Sequence, residues 1–259
     1  MQDLKFGIEI EGAVKELDYN FQDYLLNFKS NNDITREINL KKTYDDGDVT
    51  RKPVSHEDRV EFKSSKPIPQ ADIKNHIKDF KAVLNDLDYM YNPETCGFHV
   101  HISPLDGDWK DNFPRFVYNV FFTLAPFVKF FKNRRNQRYC LTEGRWGKLI
   151  RFFAEDIDLD MSKKEFLDKW NSSKGNLDFS KRNMLRLNGR GYDTVEVRLF
   201  PPNLEFMEVL IKIIENIWQK ENKVNASECI EKSIYEVLKE NDLGDSLKEF
   251  KKYYERWIK

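Results

Sequence analysis

Cysteine is scarce in this chain and histidine nearly so. The three cysteines, Cys96, Cys140 and Cys229, are odd in number and widely spaced, which excludes a disulfide framework and a zinc knuckle as organising features. Cys96, close before His99, reads as a buried free thiol rather than a nucleophile. No apolar run approaches the roughly 20 residues that span a bilayer, so no membrane segment is expected. Charge of one sign is missing too: 43 Lys and Arg against 44 Asp and Glu leave a net charge of -1. That balance excludes the basic excess of a general nucleic-acid or membrane-surface binder. No G-x-x-x-x-G-K-[ST] loop occurs, so a nucleotide site, if there is one, is built without it. The opening Met-Gln-Asp-Leu-Lys lacks a signal-peptide core, and with the unpaired cysteines this points to a cytoplasmic setting. Internal repeats and low-complexity linkers are absent. Residues 1–259 therefore read as a single domain, with 204–259 as its helical C-terminal part.

What is present is aromatic and patterned. Twenty phenylalanines promise a large aromatic core. Four short segments alternate grease with chemistry: Phe6-Gly7-Ile8-Glu9-Ile10-Glu11, Val60-Glu61-Phe62, Gly97-Phe98-His99-Val100-His101-Ile102 and Thr194-Val195-Glu196-Val197-Arg198-Leu199. Successive side chains of a strand point to opposite faces, so each segment separates an apolar face from a loaded one. Placed in one sheet, they gather Glu9, Glu11, Glu61, His99, His101, Glu196 and Arg198 on a common face. Carboxylates so crowded repel one another unless cations sit among them. Oxygen ligands beside an imidazole suit hard divalent ions such as Mg²⁺ or Mn²⁺.

The other elements follow from local pattern. Strands are predicted near 3–11 and 35–42, with the cluster of 18–29 ambiguous. A polar loop covers 44–58, and the Glu61 strand is expected to stop at Pro67 and Pro69. Ile73, Ile77, Phe80, Leu84 and Leu87 recur at helical spacing over 72–88. An apolar helix over 114–131 is interrupted near Pro126, and 132–151 reads as irregular and basic. Ser162 with Glu165 forms a capping box, and 181–188 with 194–200 a hairpin. Helices follow at 204–221, 226–240 and 246–258, with Asn203, Asn225 and Ser246 as N-caps and a second capping box at Ser246 and Glu249. Strands punctuated by helices, with a hairpin, give an α+β class: a mainly antiparallel sheet with helices on its dry face.

Each loaded residue has a plainer explanation. Glu9 and Glu11 read alone as surface acids on a solvent-facing strand, His99 and His101 as satisfied structural histidines, and Glu196 with Arg198 as a cross-strand ion pair. The recurrence of one design in four segments argues against all of these at once. Further candidates are the acidic Asp45, Asp46 and Asp48, whose plain reading is a solvated turn. Arg182 and Arg186 share strand parity, and Arg186 is placed to reach a phosphate. The basic run from Lys129 to Arg151, including Arg138, reads either as a solvated loop or as an anion clamp.

The order G-x-E-x-E, E-x-x-S near a proline, C-G-x-H-V-H and T-x-E-x-R resembles the putative amidoligase family, carboxylate–amine ligases related to glutamine synthetase and γ-glutamylcysteine ligase. The matching residues are Gly7 to Glu11, Glu61 to Ser64, Cys96 to His101 and Thr194 to Arg198, with Lys66 intervening between the serines and Pro67. The resemblance implies a curved antiparallel sheet whose concave face binds ATP and two or three Mg²⁺ or Mn²⁺ ions, with helices on the other face. It implies phosphorylation of a substrate carboxylate by ATP and attack of an amine on the acyl phosphate. The amine would come from an amino acid, a peptide or a protein side chain. By position, Glu9, His99 and Glu196 resemble ligands of one ion, and Glu11 and Glu61 ligands of its neighbour. His101 and Arg198 resemble phosphate-side, catalytic groups; Arg186, by its strand parity, is a further catalytic and ATP-side candidate, and Arg138 lies in a stretch similar to an arginine-rich segment of amidoligases. Two rival functions use the same residues: a metal-dependent hydrolase working without nucleotide, and an inactive binding protein on the same fold.

Overall fold

A computed structural model describes residues 3–15, 23–29, 35–42, 57–64, 66–86, 97–109, 112–131, 146–172, 185–188 and 194–257. Its strands are β1 (Leu4–Lys15), β2 (Asp23–Lys29), β3 (Thr35–Lys42), β4 (Glu57–Ser64), β5 (Ile68–Pro69), β6 (Phe98–Pro104), β7 (Leu185–Asn188) and β8 (Thr194–Val197). They form one antiparallel sheet in the order β2-β3-β4-β1-β6-β8-β7, with β5 also paired to β1. Among the described residues β2 and β7 end this path, and β5, paired only to β1, is open on its other side. The chain is thus α+β with an antiparallel sheet, as the alternation predicts.

The dry face is where the pattern put it. Leu4, Phe6, Ile8 and Ile10 of β1 are each at most 1% exposed, and Phe98, Val100 and Ile102 of β6 and Val195 and Val197 of β8 are fully buried. They share one core with the helices α1 (Gln70–Asp86), α2 (Phe113–Thr123), α3 (Ala125–Phe130), α4 (Trp146–Arg151), α5 (Lys163–Ser172), α6 (Leu204–Trp218), α7 (Ala226–Glu231), α8 (Ile234–Glu240) and α9 (Leu247–Trp257). The aromatic prediction holds: Phe206 of α6 stacks on Phe250 of α9 at 4.3 Å, and Phe131 packs against Phe200 at 5.2 Å. Rings that meet edge-on or offset add to what burial alone supplies.

Several boundaries differ from expectation, each for a local reason. β1 runs on to Lys15 because β4 starts at Glu57 and pairs with it throughout, Glu57 opposite Lys15. β4 ends at Ser64, ahead of the two prolines as expected, and beyond this end Pro69 re-enters the sheet. Together with Ile68 it forms the short β5 on the edge of β1, where a residue without an N–H is tolerated. Between β4 and β5 the ladder is interrupted, and the Ser64 hydroxyl accepts the Ile8 N–H at 3.0 Å in place of a backbone carbonyl. The break expected near Pro126 falls at Leu124, because the Pro126 ring would clash with the carbonyl of Phe122 in a continuous helix. Within the segment read as irregular, 146–151 is helical (α4), continuing as one π-turn over Phe152–Asp156. The helix predicted over 226–240 is two, because Ser233 accepts the Glu236 N–H and Glu236 returns the bond, a capping box that starts α8. The capping box at Ser162 and Glu165 and the caps at Asn203 and Asn225 form as predicted. Ser246 closes a 3-10 turn, Gly244–Ser246, ahead of α9.

Candidate functional site

The sheet register lines the loaded residues up in rows. Across the first row Lys63 of β4, Glu9 of β1 and His99 of β6 are direct cross-strand partners. Across the second, Gly7 of β1, His101 of β6, Glu196 of β8 and Arg186 of β7 are paired in turn. Glu11 stands in register with Glu61. Directly opposed residues of an antiparallel pair sit within side-chain reach of each other. Segments far apart in the chain therefore deliver their polar groups to one patch, on the face opposite the core.

His99 is the hub. Its Nδ1 lies 3.1 Å from Glu9 Oε2 and 3.7 Å from Glu196 Oε1, and its Nε2 lies 3.7 Å from Glu11 Oε1. The Arg198 Nε–H donates to His99 Nε2 at 3.2 Å. A guanidinium only donates, so in this arrangement Nε2 is the accepting nitrogen and Nδ1 carries the hydrogen that faces Glu9. His101 joins from the next row, its Nε2 3.4 Å from Glu9 Oε1 and its Nδ1 3.5 Å from the Thr194 hydroxyl. Gly7 faces His101 closely: a Cβ at Gly7 would stand 3.3 Å from the Cβ of His101, so a larger residue there would push the imidazole off its station.

The carboxylates are graded in depth. The Glu196 side chain is 2% exposed, Glu9 21% and Glu11 32%. Each has a fixed setting. Glu196 Oε1 receives Arg198 at 3.3 Å and its Oε2 receives Arg186 at 3.4 Å. Glu11 Oε2 accepts the backbone N–H of Gly97 at 3.0 Å, while the Glu11 N–H donates to the Gly97 carbonyl at 2.9 Å. This pair of hydrogen bonds ties β1 to the chain just ahead of the histidine doublet. Glu9 Oε1 receives the Lys63 ammonium at 3.1 Å.

Burial pushes the Glu9 carboxyl up. The hydrogen bonds offered by His101 and His99 pull it down further, and the balance lies well below the usual carboxylate range. An acid with a depressed folded pKa stabilises the fold fully above its unfolded value, about 4.3. That stabilisation is lost as pH falls from there toward the folded value. Urea unfolding between pH 6 and pH 3 is therefore expected to show stability falling more steeply for the wild type than for Glu9→Gln. Parallel curves would contradict the assignment.

The donor chemistry suits a hard divalent ion, since three carboxylates and an imidazole converge. The arrangement does not hold one as it stands: among the described residues no three His, Cys, Asp or Glu are grouped so as to bind a metal. Three protein cations, Lys63, Arg186 and Arg198, already sit on Glu9 and Glu196. The repulsion that led us to expect metal ions is thus relieved in part from within the chain.

Of the predicted site residues, Glu9, Glu11, His99, His101, Glu196, Arg186 and Arg198 come together. Glu61 is placed by its backbone register only. Arg138, Arg182, Asp45, Asp46, Asp48 and Cys96 lie outside the described residues. Arg151 is exposed at the end of α4, and Cys229 is a buried thiol on α7, far in sequence from the cluster. His76 is buried on α1 against Phe80, a core histidine. Sequence reading missed Lys63, although it stands two residues beyond Glu61 and so shares its strand parity. No helix of the described residues is long and apolar enough to cross a membrane. No protein-family model matches the chain, and no curated protein matches it.

Proposed function

We propose that this protein is an ATP-dependent carboxylate–amine ligase, in which the polar face of the sheet binds the triphosphate and the acid to be activated. One observation carries the reading. Glu9, His99 and Glu196, from three strands remote in sequence, meet around a single imidazole, with Arg198 and Arg186 beside them. That grouping matches the roles implied by the resemblance to amidoligases.

The chemistry asks for such a patch. A γ-phosphate and a carboxylate are both anions and repel each other as they approach. Arg198 and Arg186 supply donors that keep their charge at any working pH and match phosphate oxygens in a planar fork. His101, held between Glu9 and Thr194, presents an imidazole to the same region. Fixed donors of this kind stabilise charge that develops during phosphoryl transfer without reorganising at the moment of reaction. Glu9, Glu11, Glu61, His99 and Glu196 are the groups that would hold Mg²⁺ or Mn²⁺. Such ions neutralise phosphate oxygens when bound. The carboxylate would take the γ-phosphoryl group with release of ADP, and an amine of an amino acid, peptide or protein side chain would then attack the acyl carbon, forming the C–N bond as phosphate leaves and the amine loses a proton.

The test is release of phosphate from ATP in the presence of Mg²⁺, screened with carboxylate and amine pairs. We expect turnover that requires both substrates and falls at least about 100-fold in Glu9→Gln and in His99→Ala, the loss typical of removing one preorganised polar group. Failure of ATP to bind with Mg²⁺ present would overturn the proposal. Metal-dependent hydrolysis without nucleotide would favour a hydrolase instead, and binding of neither metal nor nucleotide an inactive binding protein.

A further inference from the structure

Lys63 carries no role in the resemblance, yet it stands at the end of the first row, directly opposite Glu9. Its ammonium is 3.1 Å from Glu9 Oε1, the same oxygen that His101 Nε2 approaches to 3.4 Å, while His99 takes Glu9 Oε2. Both oxygens of the carboxylate are thus covered by protein groups. A divalent ion coordinated to Glu9 would have to stand against this ammonium, and two such positive charges beside one carboxylate repel strongly.

The three cations on the cluster are not equally held. Arg198 is 15% exposed and its Nε meets both Glu196 and His99. Glu196, which Arg186 shares with it, is the most deeply buried of the carboxylates. Lys63 is 36% exposed and reaches a partly exposed Glu9 at the rim of the patch. A lysine is also a point charge on a flexible four-carbon stem, which can swing into water without leaving a buried donor unsatisfied. Arg186 is as exposed as Lys63, at 37%, but its departure would strip a carboxylate that is only 2% exposed, whereas Lys63 leaves one that is 21% exposed and can be hydrated; of the three, Lys63 leaves at the least cost.

We infer that Lys63 is a built-in counter-ion for the Glu9 site: it neutralises the carboxylate while no metal is bound, and a divalent ion must displace it to enter. This rests on the reading of Glu9 as a metal ligand. Lys63 is then a positioning residue that sets metal affinity rather than a group that touches substrate. It keeps the acid cluster folded without metal and makes metal binding weak until a further anion, the triphosphate, adds its own attraction.

Mn²⁺ titration of the full-length protein, without nucleotide, tests this by calorimetry or by the loss of free-ion electron paramagnetic signal. Lys63→Met removes the charge and keeps most of the stem. It is expected to bind Mn²⁺ at least tenfold more tightly than the wild type. Lys63→Arg keeps the charge and is expected to stay within threefold of the wild type. Adding Glu9→Gln to Lys63→Met is expected to abolish the gain. If Lys63→Met binds no more tightly while binding remains sensitive to Glu9→Gln, the counter-ion role is wrong and the metal-ligand reading of Glu9 survives. If no variant binds Mn²⁺ even at millimolar concentration, while melting curves show all of them folded, both readings fall. A gain in affinity in Lys63→Arg equal to that in Lys63→Met would also overturn the inference, since charge would not be its cause.

Discussion

Replacing Glu196 with alanine is expected to be the most destabilising single change in the polar patch, by about 3 kcal/mol. The carboxylate is 2% exposed and receives guanidinium groups from both sides, Arg198 on Oε1 and Arg186 on Oε2. Its removal leaves two like charges facing each other beneath His99, with no anion of comparable depth to replace it. Removing one partner of a buried pair costs about 3–5 kcal/mol because the survivor stays desolvated. The lower end applies here because Arg186 is 37% exposed and can regain water. For a chain of this size the loss corresponds to a fall in Tm of roughly 6–12 °C. Glu196→Gln keeps the shape and one accepting oxygen, and is expected to lose about half as much. Urea unfolding in the presence of a chelator isolates the contribution of the protein's own charges. A loss below about 0.5 kcal/mol for Glu196→Ala would mean that the arginines are not held by this carboxylate.

The same residue shows how far the sequence alone carries. Val195, Glu196 and Val197 alternate, and alternation is a property of the strand backbone, so the two valines in the core and the glutamate opposite them were legible. The meeting of β1, β6 and β8 was legible only because three segments repeated one design. The strand order that makes it happen is long-range and leaves no local signature. What the reading lacked was the balance of charge. Crowded carboxylates led to metal ions, but the register sets Lys63 against Glu9 and Arg186 against Glu196. Cross-strand partners cannot be known before the pairing is. Among helices, the capping box at Ser233 and Glu236 was in plain view, yet the apolar spacing on both sides hid a break that one hydroxyl and one carboxylate decide. The end of β4 ahead of Pro67 was legible from the prolines, whereas the separate pairing of Ile68 and Pro69 with β1 was not, because a proline is tolerated where its missing N–H is not needed.

Arg198→Lys is expected to lower ATP-dependent phosphate release by about 1000-fold while leaving the fold nearly as stable as the wild type. Arginines that stabilise charge in phosphoryl transfer contribute about 10³–10⁵ in rate. The geometry explains why lysine should not substitute. Arg198 Nε is engaged at 3.3 Å with Glu196 and at 3.2 Å with His99. A guanidinium can anchor itself through that edge and still present its terminal nitrogens, whereas lysine has one nitrogen for both tasks. A lysine there can remain paired with the buried Glu196, so the charge balance that stabilises the patch is largely kept. It cannot then also reach a phosphate in a fixed orientation. The expected signature is a collapse in kcat with a smaller change in KM for ATP and a Tm within a few degrees of the wild type. Retention of more than a tenth of the wild-type rate would remove Arg198 from the chemistry and leave it as a structural partner of Glu196. Arg186 would then be the arginine to test in its place.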